Sequence, residues 1–196
     1  STHRLVANPP LATEAGCDLL KSGGPAVDAA VAVQAVLGLV EPQSSTIAGS
    51  AFMMYYDAAT KKVVAYDGRE TAPAAATGYY LVRQNQADAS STAPVPSARR
   101  SGRSIGVPGV MRMLDMAHKE HGKLAWGQLF NEGVNLATNG YKIPTRMGDA
   151  IASNAASLRL DGPSAMDRST RPVSRARIII SRSFQGWPGS AAAGSG

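Results

Sequence analysis

Apolar residues recur at helical spacing over 11–22, with Leu11, Ala15 and Leu19 in line, Ala12 and Leu20 beside them, and Gly23-Gly24 as a stop. The spacing predicts a short amphipathic helix. The next stretch, PAVDAAVAVQAVLGLVEP, carries Ala and Val on nearly every face until Pro42, and Pro25 suits its first turn. A helix that is apolar all round is buried, so this one should form the centre of a helical layer. Asp28 is its lone charge; beside the positive end of the helix dipole it stabilises by about 0.3–1 kcal/mol, and that role is expected rather than a catalytic one.

The period then changes. AFMMYYD over 51–57 and KVVAYD over 62–67 are rich in strand formers and separated by AATK, which predicts a hairpin. Residues 71–104 hold no sustained period and are expected to be mostly loop, with one short helix over 79–84. Helical spacing returns after Pro108, which should open a helix with Val110, Met113, Leu114 and Ala117 on one face and Gly122 as its stop. A second helix is expected over 124–140, closed by Asn139-Gly140, and a third from Pro144 carries Met147, Ile151 and Ala155. Past Leu160 the periodicity fades into Arg, Ser, Gly and Pro around one apolar run, Ile178 to Ile180.

Composition sets bounds on this picture. A chain of 196 residues with 44% hydrophobic content can bury one ordinary core, and its low aromatic share points to small side chains and close helix packing. The longest apolar run, around 29–40, is broken by Gln34 and Gly38, so no membrane-spanning helix is expected, and STHRLVANPP does not resemble a leader peptide. The lone Cys17 sits in the first helical pattern, where a packed thiol is expected rather than a nucleophile. The net charge of +6 is uneven: residues 159–196 hold six arginines against two aspartates, which leaves 14 basic and 12 acidic residues, a net of +2, in the first 158. Basicity therefore belongs to the tail, and a nucleic-acid-binding module, whose affinity would fall steeply with salt, is the weaker reading.

Among candidate chemical groups, Arg69 stands out, set between Asp67 and Glu70 in AYDGRETAP just past the second strand. A guanidinium offers a planar fork that holds a carboxylate by two charge-assisted bonds, and Asp67 and Glu70 can act as acceptors that fix the fork. The plain alternative is that Arg69 pairs with a neighbouring carboxylate and binds nothing. GVPG at 106–109 lacks the lysine and spacing of a phosphate loop and is better explained as a helix start. His118 and His121 lie near a helix end without a third ligand, which does not make a zinc site, and Tyr55, Tyr56 and Trp126 are expected to pack.

Six ordered blocks, PLATEAG, GGPAVDAAVA, VEPQSS, YDGRETAPAAAT, GVPGVMRMLDMAHKEHGKLAW and ATNGYKIP, follow one another as in the gamma-glutamyltranspeptidase family, and the resemblance spans about residues 8–158. It implies an α/β (α+β) Ntn hydrolase, an αββα four-layer sandwich, of which this chain resembles the helix-rich front of the large subunit, with 159–196 as a separate tail. It implies an enzyme that transfers or hydrolyses a gamma-glutamyl group, with an acylase cleaving glutaryl or adipyl cephalosporins as the rival within the family. No cofactor is implied. The nucleophile would be a threonine at the start of a separate small subunit, whose own amine serves as base. That small subunit is the expected partner, and a periplasmic or secreted location follows from kinship, with the cytoplasm left open. Arg69 matches the arginine that holds the donor carboxylate in that family. STH at the front resembles the start of a small subunit, yet it leads into PLATEAG, so neither Ser1 nor Thr2 is expected to be a nucleophile. The chain departs from the family after VEP, where Ala48, Ser50 and Ala51 stand at positions expected to be glycine and Gly49 alone is kept.

Overall fold

The computed structural model describes residues 4–78 and 105–156. The short helix expected over 79–84, the tail from 159 and the Ser1-Thr2 pair lie outside the described residues. Helix α1 (Pro10–Lys21) and helix α2 (Ala26–Val40) are followed by strands β1 (Ala51–Asp57) and β2 (Lys62–Gly68). Helix α3 (Val110–His121), a 3-10 segment (Trp126–Phe130), helix α4 (Asn131–Asn139) and helix α5 (Thr145–Ser153) complete the order.

The all-apolar α2 does occupy the centre. Its first half enters one cluster, where Val27 and Val31 pack with Tyr66, Val110, Leu114 and Leu129. Its second half enters another, where Val36, Leu39 and Val40 meet Ala12, Ala15 and Leu136. Packing on α2 from several sides leaves most of its surface buried or half-buried, which is why its sequence lacks a strong amphipathic stripe.

The two strands pair antiparallel with Ala51 opposite Gly68 and Asp57 opposite Lys62. Alternation along the strands sends Met53, Tyr55, Val64 and Tyr66 toward α3, while Phe52, Met54, Tyr56 and Val63 stay exposed. Tyr56, expected to pack, thus faces outward, whereas Tyr55 stacks on the His121 ring with centroids 4.0 Å apart. The period of two decides this, since neighbouring tyrosines must point to opposite faces.

Two helix starts differ from expectation. Pro108 stands two residues before the first helical residue, Val110, and the stretch expected as one helix over 124–140 begins as a 3-10 segment before α4. There the Gln128 N–H bonds the Ala125 carbonyl at 2.9 Å, a three-residue return. The chain enters this turn with Leu124 already held by Asp28 and with Gly127, a weak helix former, inside it. Trp126 packs on His118 and Phe130, at centroid distances of 5.2 and 5.1 Å.

Two tyrosine hydroxyls tie elements together. Tyr66 donates to Glu120 at 2.6 Å, and Tyr141 donates to the Leu39 carbonyl at 2.7 Å. Burial, reinforced for Tyr66 by the Glu120 carboxylate, pushes both hydroxyls up to about 12. A folded-state value above the unfolded one of about 10 means that the stabilisation is present below pH 10 and lost between pH 10 and 12. Urea-unfolding midpoints should therefore fall over that window, and more shallowly in Tyr66→Phe and Tyr141→Phe; an unaltered slope in both variants would disprove the assignment.

Candidate functional site

Arg69 follows β2 immediately, and its position is set by backbone contacts. Gly68 closes the strand against α3, where an added Cβ would stand 2.7 Å from Met113 Cβ and 3.0 Å from the Ala51 carbonyl oxygen. Asp67 Oδ1 accepts the Arg69 backbone N–H at 2.8 Å, a local side-chain turn that ends the strand. Two residues on, Thr71 and Val107 exchange both backbone hydrogen bonds, at 3.3 and 2.8 Å.

The GVPG segment closes over this turn. At Gly109 a Cβ would lie 2.5 Å from the Gly68 carbonyl oxygen and 2.8 Å from that of Arg69, so only glycine lets the start of α3 approach so closely. The N–H groups of Gly109 and Val110 in turn bond the Gly49 carbonyl, at 3.1 and 3.2 Å. The backbone of Arg69 thus lies between the end of β2 and the α3 start, and the α3 start is in turn tied to the loop that precedes β1.

Its side chain is less constrained. The guanidinium is 61% exposed, and its Nη2 lies 3.3 Å from Glu70 Oε1. An exposed pair of this kind is worth about 0–1 kcal/mol, so an incoming carboxylate can displace it at small cost. Glu70 is half-buried; hydrogen bonding from Ser50, helped by its own backbone N–H and by Arg69, holds its carboxyl below the ordinary range. Its Oε2 is sealed from solvent with no hydrogen-bond partner among the described residues. The three residues singled out from the sequence are therefore together but act differently. Glu70 meets the guanidinium, while Asp67 holds the main chain. Sequence reasoning missed the bracing by Gly49 and Gly109, for which the signal was present in the glycines on either side of Val107-Pro108 and in the one glycine kept after VEP.

The other candidates fall into structural roles. His118 Nε2 lies 2.9 Å from the Leu124 carbonyl oxygen and 3.5 Å from Asp28 Oδ1, and His121 stacks on Tyr55. Among the described residues no group of three His, Cys, Asp or Glu side chains is placed to hold a metal. Asp28, expected to complement the α2 dipole, is fully buried and reaches across to the Lys123 and Leu124 backbone N–H groups.

The sequence model of the family described as gamma-glutamyltranspeptidase matches residues 12–176. The glutathione hydrolase proenzyme of Bacillus subtilis (strain 168) is 39% identical over 143 residues, covering 73% of this chain and 24% of the relative. The chain thus spans about a quarter of the length of that curated relative. Among solved structures, the Helicobacter pylori gamma-glutamyltranspeptidase superposes with a TM-score of 0.73 at 29% identity, over 85% of this chain and 47% of that one. The Bacillus anthracis transpeptidase CapD gives 0.68 at 28%, over 90% and 52%. The architecture is accordingly the α+β Ntn-hydrolase fold, with helices laid on one face of the hairpin. Sequence blocks, helix order and hairpin agree, and the chain belongs to the gamma-glutamyltranspeptidase family.

Proposed function

We propose that the chain is the front of the large subunit of a glutathione hydrolase or gamma-glutamyltransferase, in which Arg69 clamps the alpha-carboxylate of the donor. The observation that carries this reading is a guanidinium that, among the described residues, is held by one weak pair at 3.3 Å while its backbone is wedged by glycine contacts. Positioned backbone with an open cationic fork is what orientation of a carboxylate donor requires. The bond-making group is a threonine at the start of a separate small subunit. Its hydroxyl attacks the gamma-carbonyl carbon, the amide C–N bond breaks, and the amine leaves with the proton taken up by the threonine's own amine. Water or an amino-acid amine then attacks the ester and frees the threonine.

The outward apolar face of the hairpin supports the small-subunit partner: Phe52 and Met54 are 67% and 70% exposed, and Val63 lies beside them. Neighbouring apolar residues on one strand face are what a second layer covers. The relative's name, a proenzyme, agrees with a precursor that is cut into two parts. No described helix is long and apolar enough to cross a membrane. On family kinship alone, we place the assembled enzyme in the periplasm or outside the cell. We keep residues 159–196 as a tail separate from this unit, although the family match runs on to 176.

The complete processed enzyme should release p-nitroaniline from gamma-glutamyl-p-nitroanilide far faster than it cleaves a glutaryl-cephalosporin. The opposite ranking would make it an acylase of the same family. Activity on neither, in a preparation whose second chain starts with threonine, would overturn the reading.

A further inference from the structure

The loop between α2 and β1, residues 41–50, ends against the Arg69 turn and begins at the buried carboxylate of Glu41. That side chain is 3% exposed and receives Arg146 Nη1 from α5 at 2.7 Å and Gln43 Nε2 at 2.8 Å. A buried carboxylate requires its cation, because removing one partner leaves an uncompensated charge away from water. The same guanidinium donates through Nη2 to Ser44 Oγ at 3.0 Å, so one planar fork grips both the anchor and the first turn of the loop. The Glu41 carbonyl fixes that turn from below, accepting the Ser44 and Ser45 N–H groups at 2.9 and 2.8 Å.

The middle of the loop is mostly exposed, held by Gln34 Nε2 to the Thr46 carbonyl at 3.2 Å and by the Ala48 N–H to Thr46 Oγ1 at 3.1 Å. Its far end carries two groups that face the site. The Gly49 carbonyl holds the N–H groups of Gly109 and Val110, and the Ser50 hydroxyl lowers the Glu70 carboxyl. Hydrogen bonds thus run along the loop from Glu41 and Ser44 through Thr46 to Gly49, a path by which losing the grip at Glu41 can reach the placement of Gly49 and Ser50.

We propose that Arg146 is a positioning residue for the donor-carboxylate site, acting from α5 through Glu41 and loop 41–50 on the glycine contacts and the Glu70 partner that place Arg69. The proposal rests on Arg69 being the donor clamp. It differs from a merely stabilising ion pair in what it moves: affinity for the donor carboxylate, more than turnover.

The test uses the complete processed enzyme and two donors, gamma-glutamyl-p-nitroanilide and gamma-aminobutyryl-p-nitroanilide, which lacks the carboxylate. Arg146→Gln should raise KM for the first about three- to tenfold, leave KM for the second in place, and lower kcat by a smaller factor. Arg146→Lys should recover part of the loss, because a point charge satisfies Glu41 but cannot also hold Ser44. In Arg146→Gln/Arg69→Lys the two increases should be less than additive in free energy, since both pass through one clamp. A lowered melting temperature with both KM values unchanged, while Arg69→Lys raises the first, would overturn the proposal. If Arg69→Lys also leaves KM unchanged, the clamp itself fails and the proposal falls with it. Should Arg146→Gln fail to process, Ser44→Ala removes one bond of the fork and probes the same link: a selective rise in KM supports the proposal, an unchanged KM overturns it.

Discussion

Replacing Arg69 by lysine in the complete processed enzyme should raise KM for gamma-glutamyl-p-nitroanilide about 10- to 100-fold while kcat falls by a much smaller factor. Lysine keeps the charge but loses the planar fork, and with it one of two charge-assisted hydrogen bonds, each worth about 1.5–3 kcal/mol; tenfold in affinity corresponds to about 1.4 kcal/mol. Competition from Glu70 does not change the sign, since an exposed pair at 3.3 Å offers about 1 kcal/mol at most. The control is gamma-aminobutyryl-p-nitroanilide, whose KM should hardly move, because it brings no carboxylate to the clamp. Equal changes for both donors would instead mean that Arg69 supports the fold. No change for either would mean that the guanidinium touches no substrate.

How much of this was legible follows from what each feature depends on. Helices α1 and α3 carry apolar stripes with glycine stops, and the hairpin carries a period of two, so local pattern suffices for them. The 3-10 start at Trp126 was hidden, because a helical stripe does not reveal that Leu124 is already held by a residue 96 positions earlier. Arg69 was conspicuous as a charge between charges at a strand end. Its support was not, because Gly49 and Gly109 act through backbone contacts and become informative only once the two segments are seen to touch. The Glu41–Arg146 pair spans 105 residues, and no local spacing encodes it. Six blocks in order were legible as a family, and they located the arginine without disclosing how it is held.

Asp28 is where the sequence understates an effect most, and Asp28→Ala should destabilise the protein by about 3–5 kcal/mol in urea unfolding. A carboxylate that only complemented the α2 dipole would be worth about 0.3–1 kcal/mol. Asp28 is instead completely buried, and its oxygens accept the Leu124 N–H at 2.9 Å and the Lys123 N–H at 3.2 and 3.3 Å, with His118 Nε2 at 3.5 Å. Alanine would leave two part-buried backbone donors without their acceptor, at about 1–3 kcal/mol each, besides opening a void where the carboxylate stood. Asp28→Asn should cost less, since one oxygen still accepts, yet more than the dipole value, because its amide presents hydrogens to N–H groups. These contacts lie at the C-terminal end of α3, whereas Gly109 and Arg69 meet at the other end, so the donor KM of Asp28→Asn should stay close to that of the parent. A loss below about 1 kcal/mol in Asp28→Ala would return the residue to the role of a helix-start charge; a large loss, together with an unchanged donor KM in Asp28→Asn, separates the turn that holds the fold from the turn proposed to hold the donor.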